Sequence, residues 1–524
     1  MKNYRKITSA IFVMALTLVS ISAYSFCGFY VSQQSKPIFN KTSQVILVRD
    51  GNRNVITMSS DFKGDVKDFA MVVPVPVVLQ KSDIKVVNRQ MFDDFDAYSA
   101  PRLVEYYDPS PCNSIREEVM DKVQASMSYS KDEEIFDQDK KNAKYKVTVE
   151  AKYTVGEYDI LILSAKESGG LKHWLTDNGY KIPEGAEEVL QPYIQSNMKF
   201  FVVKVNIEEQ KANGTEILRP LQIAFNSPKF MLPIRLGMAN GKGSQDLIVY
   251  TLTKNGRVET TNYRTVKMPT DREVPEFVQQ YFGKFYVDLY KKNLAKEGSD
   301  NVFMEYGWDI SGQMQVKCDP CAGNPPMLNG LFEAGVNWIS PTSWGGYNGS
   351  VYFTRLHVTY NREDFPQDLV FQETPDRSNF QCRYIINHPA QQYGECPEWS
   401  NYRDRKKASR RKELKELSAL TGWNTERYWE YPSKFMGYSA PLPPDEETGY
   451  ITPKEGKTNI TASPEIDQTT TGSIEEDISN SRINQTAFIN TRTPEHKKPI
   501  DWGLGFGMIA IVTLASLARM QKKG

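Results

Sequence analysis

Residues Gln44–Ser60 read QVILVRDGNRNVITMSS, two aliphatic runs on either side of Asp50 and Gly51. β-branched residues flanking an Asp-Gly pair predict an antiparallel hairpin. The next segment, DFAMVVPVPVV at 68–78, is also strand-like, and Pro74 and Pro76 confine it to a sheet edge or a strand end.

Further strands are expected at KVTVEAKYTV (146–155), EYDILILSA (157–165), FFVVKVNIEE (200–209), LQIAFNS (221–227), VYFTRLHVTY (351–360) and FQCRYIINH (380–388). DLIVYTLT (246–253) and RVETTNY (257–263) are expected to form a second hairpin across Asn255-Gly256. Helices are expected at SGGLKHWLTDNG (168–179), with Ser168 capping its start and Gly179 its end, and at VPEFVQQYFGKFYVDLYKKNLAKEG (274–298). The fold class is therefore α+β, strand-rich, with a few amphipathic helices. SKDEEIFDQDKKNAK (130–144) reads as a solvated insertion.

The two ends predict a compartment. A basic start, an apolar core over Ile7–Ser22 and small residues at Ala23 and Ser25 make 1–25 a secretory signal peptide. WGLGFGMIAIVTLASLA (502–518) is uncharged and long enough for a short transmembrane helix, and Arg519, Lys522 and Lys523 follow it in a basic cytoplasmic tail, 519–524. Between them lie an extracytoplasmic α+β domain over 26–438, large enough for two lobes, and a Thr/Ser/Pro/Glu-rich stalk over 439–499 that lacks the apolar clusters needed for a core. The chain is thus expected to be exported, its ectodomain outside the cytoplasmic membrane on a C-terminal single-pass helix.

Composition narrows the partners. With 64 basic and 64 acidic residues there is no net field to draw nucleic acid. The basic run YRDRKKASRRKELKEL (402–417) reads as a solvated helix face. Expected partners are the membrane, through the C-terminal helix, and an envelope polymer or protein.

Six cysteines, Cys27, Cys112, Cys318, Cys321, Cys382 and Cys396, lie in the exported part, and each is a disulfide candidate. Spacing favours Cys382 with Cys396 and Cys27 with Cys112. Cys318 and Cys321 in QVKCDPCAGNPP form the one Cys-x-x-Cys, a redox candidate by compartment and spacing. Asp319 between the sulfurs and Pro325-Pro326 after them oppose a thiolate at a helix start, so a structural bridge is the better reading. No second ligand pair accompanies them, so no metal is expected, nor any cofactor.

The four histidines, His173, His357, His388 and His496, are scattered and read as surface or packing residues, and no Gly-x-Ser-x-Gly elbow is present. Two carboxylate pairs beside aromatics, Glu105 with Asp108 in RLVEYYDP and Glu305 with Asp309 in MEYGWDI, resemble the chemistry of glycan clefts.

Six collinear blocks, CGFYVSQQS (27–35), DFAMVVPVP (68–76), EYDILILSA (157–165), PKFMLPIRLGM (228–238), RVETTNYRT (257–265) and CDPCA (318–322), resemble the exported bacterial family known as domain of unknown function 2330. The resemblance runs from Cys27 to LTGWN at 420–424 and implies no activity, substrate or catalytic residue. The reading is an envelope protein that binds or supports rather than catalyses, with no catalytic residue assigned. The alternatives are a thiol-disulfide oxidoreductase on Cys318 and Cys321 and an envelope glycan hydrolase.

Overall fold

The computed structural model describes residues 29–30, 43–59, 70–112, 146–178, 185–206, 208–209, 218–239, 243–312, 324–343, 346–391, 396–435 and 438–444. The expected signal peptide (1–25), transmembrane helix (502–518), insertion (130–144) and nearly all of the expected stalk (439–499) lie outside them. No helix among the described residues is long and apolar enough to cross a membrane. All of them belong to one unit, Met1–Ala487.

The predicted hairpin is the centre of the molecule. β2 (Ser43–Asp50) and β3 (Arg53–Ser59) pair antiparallel around Gly51, whose φ of 55° suits the turn. They lie within a nine-stranded sheet ordered β14 (Arg264–Lys267), β16 (Asn301–Asp309), β19 (Tyr352–Tyr360), β12 (Gln245–Thr253), β2, β3, β10 (Leu221–Asn226), β5 (Ile84–Val86), with β21 (Phe380–Gln381) also on β16. A second sheet is ordered β1 (Phe29–Tyr30), β4 (Ala70–Val75), β9 (Lys199–Val205), β8 (Tyr158–Ala165), β7 (Val147–Val155).

These sheets pack face to face. Val45, Leu47, Ile56 and Met58 of the large sheet share one core with Met71, Val73, Ile160, Ile162, Phe201 and Val203 of the small one. Ile46, Val48 and Val55 point the other way, onto helices α1 (Gln90–Ser99) and α5 (Leu328–Ala334). Helices α2 (Ser168–Asp177) and α3 (Ala186–Gln195) cover the outer face of the small sheet. The four layers explain why VILV needs no alternation, since both of its faces are buried. Pro74 lies within β4 opposite Phe200 of β9, and on the other side β1 pairs with Met71 and Val72 among the described residues, so Pro74 sits toward the end of β4.

A third sheet stands beside these layers, ordered β15 (Arg272–Glu273), β22 (Arg383–His388), β6 (Arg102–Tyr107), with all neighbours parallel. Helices α4 (Phe282–Glu297) and α6 (Glu398–Thr421) pack against it around Phe285, Leu289, Tyr384, Ile386, Leu414 and Leu417. Two small sheets, β11 (Met231–Leu232), β20 (Leu369–Glu373), β13 (Val258–Thr260) and β17 (Ser340–Pro341), β18 (Tyr347–Asn348), complete the fold.

Several expectations are corrected. The second hairpin does not form: β12 is taken by β2 and β19, and β13 pairs with β20 instead. Asn255-Gly256 is a close approach, because a Cβ on Gly256 would lie 2.5 Å from the carbonyl oxygen of Asp376. The 380–388 run is two strands of different sheets, divided at Cys382, whose N–H donates to Glu305 and whose carbonyl accepts from Arg102. Ser168 is inside α2 rather than its cap, and its hydroxyl donates to Gln191. The segment before α4 is a 3-10 turn over Glu276–Tyr281.

Candidate functional site

The two carboxylate pairs lead to two different places. Glu305 is the extra residue of a bulge in β16, between Met304, opposite Leu356, and Tyr306, opposite Arg355. A bulge re-aims a side chain, and here it turns Glu305 toward Arg355 and His357 of β19. Arg355 Nε donates to Glu305 at 2.6 Å, His357 Nδ1 at 2.8 Å, and the Tyr286 hydroxyl also donates to it. Arg355 Nη1 reaches Asp96 of α1 at 2.5 Å, and the Tyr250 hydroxyl donates to the same oxygen at 3.0 Å. His357 stacks on Tyr290, with ring centres 4.0 Å apart, and its Nε2 lies 3.7 Å from Asp246.

Glu305 is 1 % exposed, so its charge survives only through its partners. Burial pushes its carboxyl up, but His357 and Arg355 overcome this and hold it at about 2. Burial would likewise lower His357, and Glu305 with Asp246 raise it to about 9. The network joins β12, β16, β19, α1 and α4 and is sealed from solvent at Glu305. Asp309 is not part of it: it pairs with Arg377 and Ser311.

The other pair lies at the carboxyl end of the parallel sheet. In the register of β6 and β22, Tyr107 is opposite His388, and their rings stack 4.5 Å apart at 16°. His388 Nε2 bonds Glu105 at 2.8 Å and its Nδ1 lies 3.6 Å from Glu276, in the turn after β15. The bond with Glu276 foremost, then that with Glu105, raise His388 above its ordinary range against the opposing effect of burial. Gln279 donates to Glu105 at 2.6 Å. Asp108 accepts from Tyr402 at 2.8 Å and pairs with Lys406 at 3.0 Å.

Helix α6 supplies the cations: Arg403, Arg405, Arg411, Lys412 and Lys415 form the expected solvated face, whereas Lys406 and Arg410 turn inward. Arg410 is 0 % exposed: it pairs with Glu276 at 2.7 Å and donates to the carbonyls of Tyr431 and Lys434. Lys406 is also buried, donating to Asn387 O at 2.7 Å. The ion pairs match three carboxylates, Glu105, Glu276 and Asp108, with three cations, His388, Arg410 and Lys406. Two carboxyl groups facing across an open cleft, as glycoside hydrolysis requires, are not what either pair forms. Imidazole occupies the space between Glu105 and Glu276.

Cys112 and Cys396 form a disulfide with Cα atoms 5.6 Å apart, which joins the loop after β6 to the residues preceding α6. The expected pairings of Cys382 with Cys396 and of Cys27 with Cys112 are thereby overturned. Cys382 keeps a buried thiol, pushed far above its ordinary range by burial and 3.0 Å from the Tyr384 hydroxyl, so it is no nucleophile. Cys27, Cys318, Cys321 and His496 lie outside the described residues. His173 is exposed and bonds the Gly169 carbonyl. Among the described residues no group of three or more His, Cys, Asp or Glu side chains is placed to hold a metal ion.

Sequence reading missed both histidine clusters, because their partners are distant: Glu105 is 283 residues from His388 and Glu305 is 52 from His357. The available signal was Arg355 and His357 at alternate positions of an otherwise apolar and Thr-bearing strand, which places two cations on one face.

A search of curated proteins finds no match. Among solved structures, a mutated baculovirus P35 after caspase cleavage is 8 % identical over 65 % of this chain and 98 % of that one, with a TM-score of 0.23. Baculovirus P35 itself is 10 % identical over 66 % and 98 %, with a TM-score of 0.21. Neither value describes a shared fold. The family model described as an uncharacterized protein conserved in bacteria, DUF2330, matches residues 21–372, and the chain belongs to that family.

Proposed function

We propose that the protein is a membrane-anchored, extracytoplasmic module of the bacterial cell envelope that binds or supports an envelope component rather than transforming it. The anchor is the single-pass helix over 502–518, and the stalk over 439–499 holds the folded region away from the membrane. The observation that carries the reading is the mutual commitment of acids and bases at the carboxyl end of the parallel sheet. Glu105, Glu276 and Asp108 are each bonded to His388, Arg410 or Lys406, while the Tyr107 ring beside them is 68 % exposed. Balanced, mutually bonded charges make a firm surface, and a half-free acid or base poised for proton transfer would look different.

The test is location. Cells expressing the full chain are fractionated, and intact cells or spheroplasts are treated with protease. The chain should sediment with membranes, and external protease should remove the folded region while the 519–524 tail stays protected. Recovery in the cytosol would overturn the reading. Disulfide exchange dependent on Cys318 and Cys321 would replace it with the oxidoreductase alternative.

A further inference from the structure

We propose that the open face of Tyr107 is a stacking platform for a neutral sugar ring, so that the carboxyl end of the β15-β22-β6 sheet takes an uncharged glycan chain. This deepens the envelope-binding reading and rests on it.

The platform is fixed before any ligand arrives. One face of the Tyr107 ring lies on His388, which is itself braced between Glu105 and Glu276. Five residues beyond Tyr107 the chain is tied by Cys112 to Cys396, which precedes α6. A ring held this way loses little freedom on binding, so more of the contact energy appears as affinity. Its other face is exposed.

The surroundings select the ligand. A pyranose presents an apolar C–H face bordered by hydroxyls, and the site offers an aromatic face bordered by polar groups. The Tyr107 hydroxyl is only loosely held, 3.5 Å from Glu105, so it can turn to a sugar hydroxyl. Glu105, Glu276 and Asp108 are each already paired with a cation, so none of the three offers a free charge to an ionic polymer. An apolar peptide would need flanking apolar pockets, and the side chains in contact with Tyr107, His388 and Glu105, form none.

The experiment uses the full chain in mild detergent, with chitotetraose and cellotetraose as neutral probes and heparin and a tyrosine-containing peptide as the competing classes. Affinity is read by calorimetry for wild type, Tyr107→Phe and Tyr107→Ala, after thermal melts establish that the variants are folded. A neutral tetrasaccharide should bind, Tyr107→Ala should weaken it about tenfold or more, and Tyr107→Phe should stay within about threefold. The proposal is overturned if no neutral tetrasaccharide binds, if Tyr107→Ala binds as wild type does, or if heparin or the peptide is preferred. Failure here with the chain still found in the envelope removes the platform alone. Tyr107-dependent sugar binding by a chain found in the cytosol removes the envelope reading instead.

Discussion

Replacing Glu305 with Gln keeps the shape of the side chain and deletes the charge on which Arg355 and His357 both rest. Arg355 retains Asp96 at 2.5 Å but loses Glu305 at 2.6 Å, one of its two carboxylates, and His357 retains only Asp246 at 3.7 Å after losing its 2.8 Å bond to Glu305. Removing one partner of a buried ionic group costs roughly 3–5 kcal/mol, because the remaining charge stays desolvated. That is a large fraction of a total stability of about 5–15 kcal/mol.

The same substitution changes the pH profile. His357 is raised from 6.5 to about 9 on folding, so its contribution is fully present below pH 6.5 and is lost as pH rises through 9. A shift of this size corresponds to about 3 kcal/mol. Urea unfolding of wild type and Glu305→Gln, followed by tryptophan fluorescence between pH 6 and 9.5, measures it. His388 is unchanged in both proteins, so its titration cancels in the difference. The difference should be largest near pH 6 and shrink by about 2–3 kcal/mol by pH 9.5. A variant within about 1 kcal/mol of wild type at pH 6, or a difference that is flat with pH, would refute the network as described.

Other outcomes follow from single contacts. Arg410→Leu removes the guanidinium that Glu276 and the carbonyls of Tyr431 and Lys434 share, so stability should fall by about 3 kcal/mol and amide exchange should rise across 431–434 before it rises elsewhere. Non-reducing peptide mapping should recover Cys112 linked to Cys396, and Cys382 should resist alkylation until the protein unfolds. Cys112→Ser should cost up to about 5 kcal/mol, the chain-entropy value for so long a loop. Gly256→Ala should cost about 2 kcal/mol by driving a methyl group into the Asp376 carbonyl, and thermal melts would show it.

What could be read from the sequence follows from what is local. The Gln44–Ser60 hairpin was legible because its turn and both strands are contiguous, whereas the burial of both faces of VILV depends on the second sheet and on helices far away in sequence. Asn255-Gly256 carried the same turn chemistry and misled, because β2 and β19 compete for β12 and the sheet centre wins over the local turn. The basic run at 402–417 is solvated along most of its length, and what local sequence does not show is that Lys406 and Arg410 turn inward. The carboxylate that holds Arg410 is 134 residues away. Proximity failed for the cysteines in the same way, since the bonded pair is separated by 284 residues. Glu105 and Asp108 were legible as carboxylates beside aromatics, but their commitment to His388 and Lys406 exists only once three parallel strands and α6 converge.

The account turns on whether this surface holds an envelope component or transforms it. The most direct measurement incubates the full chain with isolated bacterial envelope, then assays the sediment for the protein and the supernatant for released fragments. The account predicts that the chain is retained on the sediment with the polymer intact. Soluble sugar fragments accumulating with time, or a chain that stays in the supernatant, would contradict it.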